Sequence, residues 1–217
     1  MIINLNLEGK KIIVVGGGNE AEKRIKSLLN EKCEIIVISN SVNAEISKLV
    51  KIKQIKLKKQ KIENIKFISE LKPDVIITTT NDKKINQKII DHAQKKKIIS
   101  YSSDNPENSD FSNGAIIDFE KMIQIAIFTG GRSPVVSKKI KVKAEKVLKK
   151  IISKEDIAQI KIQKISRKLA KEIIPVQFER KECLKSIMTD NHIDQLIKDG
   201  QIKKAEKRAI EIIKKWK

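Results

Sequence analysis

Short runs dominated by valine and isoleucine alternate along this chain with stretches in which apolar residues return every third or fourth position. Ile12–Val15, Cys33–Ser39 and Asp74–Thr79 read as strands buried on both faces. Gln54–Lys59 alternates weakly and reads as an edge strand, and Ile98–Tyr101 as a further strand. Between them lie helical stretches: one entered at once after Gly18, one over residues 43–51, and one over Lys83–Lys95. Strand and helix in alternation predict a parallel sheet with crossover helices, a Rossmann-type α/β fold.

The pattern changes after residue 101. SSDNPENSDFSNG is polar and rich in turn formers, which places a boundary near Gly114. AIIDF and MIQIAIF follow as antiparallel strands, and then a lysine-rich helix for which Ser133 is a natural N-cap and Pro134 the first residue. Gly130 and Gly131 just before it let the backbone close on a ligand. From residue 154 several amphipathic helices are expected, with breaks near Pro175, Asn191 and Gly200. The predicted order is a Rossmann domain over 1–113, a small α+β dimerisation region over 114–150 and a helical C-terminal domain over 151–217.

Composition narrows the classes. Of the 217 residues 40% are hydrophobic but only 3% aromatic, so the core must be aliphatic. No apolar run approaches the ~20 residues that cross a bilayer, and the N-terminal MIINLNLEGKK lacks the apolar centre of a secretion signal. A cytoplasmic protein without a membrane partner is expected. Cys33 and Cys183 are far apart with no neighbouring ligand at metal spacing, so no disulfide framework and no metal site is expected. The formal charge of +20 suggests nucleic acid first. The lysines, however, are spread along the whole chain with no aromatic residues interleaved, so a solvated surface that attracts a small polyanion is preferred over nucleic acid.

The chemistry is concentrated at strand ends. Gly16-x-Gly18-x-x-Ala21 fits the dinucleotide-binding pattern. Gly16 permits the tight turn, Gly18 leaves room for a pyrophosphate, and Ala21 lets the helix lie close to the sheet. The phosphates would rest on the N–H groups of the Gly16, Gly17, Gly18, Asn19 and Glu20 turn, at the positive end of the helix. The end of the second strand carries Ser39, Asn40 and Ser41 where an acid usually holds the ribose. Ser39 and Asn40 can still bond it, and no arginine stands there for a 2′-phosphate, so these residues favour neither NAD nor NADP. Thr80, Asn81 and Asp82 and the turn from Ser102 to Asp104 fall at the same edge.

Four of these segments together resemble the precorrin-2 dehydrogenase (sirohydrochlorin synthase) family, found alone or as the amino-terminal module of siroheme synthase. They are VVGGGNEAEKRIKSLLN, with Arg24 near the family's usual lysine, TTTNDKKIN (Thr78–Asn86), SSDNPENSDF (ending at Phe111) and FTGGRSP (Phe128–Pro134). The resemblance covers residues 1 to about 150. It implies NAD-dependent oxidation of the polycarboxylate precorrin-2 to sirohydrochlorin, with ferrous iron insertion in some members, and a homodimer. It maps the catalytic aspartate onto Asp104, the nucleotide side of the cleft onto Thr80, Asn81 and Asp82, and an anion-binding turn onto Gly130, Gly131 and Ser133. Two positions depart from the family: Tyr101 replaces a usual Asn, and Gly114 a usual Pro. The rival reading is an NAD-sensing Rossmann module without catalysis, which accounts for Gly16 to Ala21 but not for Asp104 or the TGGRSP turn.

Overall fold

Strand β1 (Lys11–Val15) is the centre of the sheet because all of Ile12, Ile13, Val14 and Val15 can be hidden at once. Its alternate residues feed two cores. Ile12 and Val14 join Ala21, Ile25 and Leu28 of helix α1 (Asn19–Leu28) and Ile46 of α2 (Ala44–Lys51). Ile13 and Val15 join Phe67 and Ile68 of α3 (Lys66–Leu71) and Ile85, Ile89 and Ala93 of α4 (Lys83–Lys95). Each such side chain removed from water contributes about 1.5–3 kcal/mol, and a sheet covered on both sides has no polar face to display.

The computed structural model describes residues 3–216, and the chain divides into two units, Met1–Asn113 and Gly114–Lys217. In the first, β2 (Glu34–Ser39), β3 (Lys56–Lys59), β4 (Val75–Thr78) and β5 (Ile99–Ser102) complete a parallel sheet of order β3-β2-β1-β4-β5. The strand order reverses between β1 and β4, so the crevice of this fold opens at their carboxyl ends. Asp74 fixes that register from the other end, accepting from the Lys11 backbone N–H at 2.8 Å and from Lys10 Nζ at 3.1 Å.

The second unit begins with the hairpin β6 (Ala115–Phe119) and β7 (Ile123–Ile127), closed by Glu120 and Lys121 in left-handed conformation. Helix α5 (Pro134–Ile151) lies against the hairpin, capped by Ser133 as its sequence requires. Helices α6 (Lys154–Ile173), α7 (Gln177–Met188), α8 (Asn191–Lys198) and α9 (Ile202–Lys215) share a core that includes Ile162, Cys183, Ile187 and Ile213. A salt bridge of 2.9 Å from Lys161 to Glu120 ties α6 to the hairpin turn. Helix α3 and a single 3-10 turn over Pro106–Asn108 are absent from the sequence expectation. Helix α3 is six residues long and has no side-chain cap at its start, so it carries too little periodicity to be read.

Candidate active site

The glycine turn sits at the carboxyl end of β1, and its three glycines do different things. Gly16 adopts φ +119°, where an L side chain is strained, and a Cβ there would lie 2.4 Å from Thr79 Oγ1. Gly17 is pressed against the β2–α2 loop: a Cβ would lie 2.1 Å from the Ser41 carbonyl oxygen. Gly17 also accepts a hydrogen bond from the Asn43 N–H at 2.9 Å. A Cβ at Gly18 would meet nothing within 4 Å. Gly18 caps α1 without a side chain, so no capping group takes the first-turn N–H groups, whereas Asn43 and Asp82 cap α2 and α4 with their own oxygens. Open space over uncapped N–H groups at the positive end of a helix fits the pyrophosphate of a dinucleotide. Ala21 is fully buried in the core beneath.

Asn19 is exposed, and its Oδ1 faces Asn43 Nδ2 at 3.4 Å. Glu20 is paired with Lys23 at 3.2 Å and with Arg24. Partial burial works to raise the Glu20 pKa, but the hydrogen bond from Lys23 and the charge of Arg24 outweigh it and hold the carboxyl below its ordinary value. At the end of β2 the Ser39 hydroxyl donates to the Ser41 carbonyl at 2.6 Å, so toward a ribose it is left with acceptor capacity only. Asn40 is exposed at the same edge. Thr80 and Asp82 are engaged with helix α4: Asp82 Oδ1 accepts from the N–H groups of Lys84 and Ile85 at 3.0 and 3.1 Å, and Thr80 Oγ1 donates to Asn86 Oδ1 at 2.6 Å. Asn81 is exposed beside them.

Asp104 follows β5 and is exposed, with one oxygen held in place. Its Oδ1 accepts from Ser102 Oγ at 2.6 Å and from Asn86 Nδ2 at 2.9 Å. Because Ser102 donates to Asp104, the 2.8 Å contact between Thr78 and Ser102 has Thr78 as its donor. Asn86 also donates to the Thr80 carbonyl at 2.9 Å. The chain Thr78–Ser102–Asp104–Asn86–Thr80 thus joins β4, β5 and α4, and leaves Asp104 Oδ2 without a hydrogen bond from the described residues. Strands β1 and β5 flank β4, so this carboxylate and the glycine turn lie at one sheet edge, two strand spacings or roughly 10 Å apart.

Sequence reasoning missed the positioning group Asn86. Its signal was an amide at a buried position of a helix whose neighbours on that face are isoleucines, since a buried amide demands partners. Asp110, expected as a surface acid, is exposed and also anchors the loop: it accepts from Ser100 N and Oγ at 2.7 and 2.8 Å. Tyr101 stacks on Phe111 at 5.2 Å, carries the Arg24 guanidinium 4.7 Å over its ring, and accepts from it at 2.9 Å. The usual Asn is thus replaced by a residue that braces the Asp104 loop from beneath. A Cβ at Gly114 would lie 2.8 Å from Cζ of the exposed Phe128 ring, which would have to shift to make room.

In the second unit Gly130 and Gly131 have φ of +61° and +75° and open space where a Cβ would project. Ser133 Oγ accepts from Val136 N at 3.3 Å. Among the described residues no three His, Cys, Asp or Glu side chains are grouped as metal ligands.

A family model described as "Putative NAD(P)-binding" matches residues 3–115. The chain is 31% identical over 143 residues to a precorrin-2 dehydrogenase of Priestia megaterium, covering 64% of this chain and 66% of that protein. It is 29% identical over 202 residues to a "Putative precorrin-2 dehydrogenase" of Methanocaldococcus jannaschii, covering 90% and 93%. It is 27% identical over 201 residues to the siroheme synthase of Psychromonas ingrahamii, spanning 40% of that longer protein. A solved structure titled SirC, precorrin-2 dehydrogenase, has the same fold, with a TM-score of 0.69 at 24% identity over 96% of this chain and 99% of that one.

Proposed function

The chain belongs to the NAD(P)-binding precorrin-2 dehydrogenase family, and from that premise we propose that it oxidises precorrin-2 to sirohydrochlorin with NAD. The observation that carries the reading is Asp104, one oxygen fixed by Ser102 and Asn86 and the other free, at the same sheet edge as the open Gly18 turn. The oxidation removes a hydride and a proton. NAD, when bound, takes the hydride. The chain's own residues do the rest. The uncapped N–H groups of α1 hold the pyrophosphate, and Gly18 lets it approach. Asn40 and the Ser39 oxygen are the proposed partners of the ribose hydroxyls. Thr80, Asn81 and Asp82 shape the nucleotide side of the crevice, Thr80 and Asp82 chiefly by fixing the start of α4. Asp104 takes the proton at Oδ2 while Ser102 and Asn86 keep the carboxylate from turning. A base held in this way contributes about 10²–10⁴-fold to a rate.

The TGGRSP turn, with Gly130, Gly131 and Ser133 at the start of α5, is the proposed contact for substrate carboxylates. Helix α5 is the proposed dimer contact. Val135, Val142 and Val147 are each more than half exposed, and these apolar residues on a lysine-rich helix need a cover. The cytoplasm is the proposed location; among the described residues no helix is long and apolar enough to cross a membrane. An anaerobic assay with precorrin-2 and NAD tests the reading. NADH and the chlorin absorption of sirohydrochlorin should rise together. Neither signal, with NAD still bound, would leave an NAD-binding module without catalysis.

A further inference from the structure

The end of β2 lacks the feature by which a dinucleotide fold usually prefers NAD to NADP. An acid in that place accepts from the 2′-hydroxyl of the adenosine ribose and repels a 2′-phosphate. Here residues 39–41 are Ser-Asn-Ser and carry no charge. They stand against the glycine turn, since a Cβ at Gly17 would lie 2.9 Å from Ser39 Oγ as well as meeting Ser41. A dinucleotide whose pyrophosphate rests on Gly18 therefore has its ribose beside this loop. The acids of the neighbouring helices are already neutralised. Glu22, which accepts from Asn43 at 2.6 Å, is paired with Lys26 at 2.6 Å, and Glu45 with Lys48 at 2.6 Å.

The sheet also brings a cation to the loop. In the parallel register Ser39 is the partner of Lys59, the last residue of β3, and the Gln60 N–H continues the ladder onto the Ser39 carbonyl at 3.1 Å. Alternation puts Ser39 and Lys59 on one face: Val37 and Leu57, two residues before each, pack in the core that includes Ile25 and Ile46 of α1 and α2. The two strands run about 4.8 Å apart. Lys56 and Lys58 of β3 are paired with Glu34 at 2.6 Å and Glu70 at 2.8 Å. Lys59 is exposed, and among the described residues no carboxylate is paired with it. Because β3 lies beyond β2 from β1, the edge presents three zones in order: uncapped N–H groups, uncharged ribose partners, then an ammonium.

From this order we infer that Lys59, with the exposed Asn40 amide and Ser41 hydroxyl, forms a subsite for a phosphate on the adenosine 2′-oxygen, so that the protein binds NADP as well as NAD. This rests on the dinucleotide reading of the glycine turn given above. Lysine receives a phosphate as a point charge, and the amide and hydroxyl donate to its remaining oxygens. Without the phosphate the same two groups bond the 2′-hydroxyl, so NAD keeps its partners.

Calorimetric titration of the full-length protein with NAD and with NADP is the test. Wild type should bind NADP within about tenfold of NAD. Lys59→Gln should weaken NADP about tenfold and NAD far less. Lys95→Gln makes the same change of net charge at the far end of α4, and should alter neither much. Asn40→Asp, nearly isosteric at an exposed position, should shift the preference toward NAD by about tenfold or more. Added salt should weaken NADP more steeply than NAD. NADP binding more than about 100-fold weaker than NAD in wild type would overturn the inference and leave the NAD-dependent reading standing. Equal losses of NADP in Lys59→Gln and Lys95→Gln would mean a diffuse surface field, and would overturn it too. So would equal losses of NAD and NADP in Lys59→Gln, which would make Lys59 a support of the site rather than a reader of the phosphate. Failure of wild type to bind either dinucleotide would remove the reading of the glycine turn, and this inference with it.

Discussion

At the scale of single residues, the glycine turn separates binding from folding. Gly18 has open space and φ of −90°, so Gly18→Asp should fold normally while its carboxylate occupies and repels the pyrophosphate position. Calorimetry should find NAD binding lost with the melting temperature kept. Gly17→Ala should do the opposite first: its methyl would press on the Ser41 carbonyl, and overpacking of that kind costs about 1–3 kcal/mol. Thermal melts of the two variants side by side check the division. For the carboxylate, Asp104→Asn keeps the shape but not the base, and should lower kcat at least about 10²-fold with NAD affinity little changed. Ser102→Ala and Asn86→Leu free the Oδ1 side and should lower kcat less, with KM nearly constant, because they aim the base rather than supply it. Glu107, exposed in the same loop, is the suitable acid control; Asp110 is not, since it holds the loop to β5.

At the scale of elements, the helix ends carry an unusual signature. Lys72 at the end of α3, Lys53 after α2 and Lys97 after α4 all have positive φ, where glycine is the ordinary choice. A lysine there bears left-handed strain but brings a positive charge to the negative end of the helix dipole. Lys72→Gly and Lys97→Gly should each stabilise the protein by about 0.5–1 kcal/mol, read as a rise in chemical-denaturation midpoint. A second element-scale device titrates. The backbone N–H of Lys11 and the ammonium of Lys10 hold the Asp74 carboxyl below its ordinary value. A carboxyl depressed on folding stabilises the fold above its unfolded pKa of about 3.9, and that contribution disappears as pH falls through the lower folded value. Asp74→Asn should therefore melt earlier than wild type at neutral pH. The gap should close below about pH 4, in a series of thermal melts across the acid range.

At the scale of the whole molecule, the main question is what covers the apolar residues the chain leaves in water. On α5 only Ser137 is buried, while Val135, Val142 and Val147 stand out among lysines. A dimer through this helix would hide them at some electrostatic cost, because each copy carries +20. The dimer should therefore tighten as salt screens the lysines. Light scattering should give twice the chain mass at micromolar concentration in moderate salt, and Val142→Glu/Val147→Glu should give a monomer that still binds NAD.

The sequence by itself determined the parallel sheet, the glycine turn and the position of Asp104 at its edge. Those features are local: Val and Ile runs buried on both faces admit few other structures, and the order of strand and helix sets where the carboxyl ends lie. The cap of α5 was equally legible, because Ser133 acts on an N–H group three residues away. Only the tertiary structure decided what the polar residues at that edge do. Asp110 is committed to Ser100 of β5, ten residues away, and Asn86 to the carboxylate of Asp104, eighteen residues away. Lys59 stands beside Ser39 only through the pairing of β2 with β3. Such partners are distant in the chain, and a hydrogen bond or a shared site between them depends on packing that no local pattern encodes.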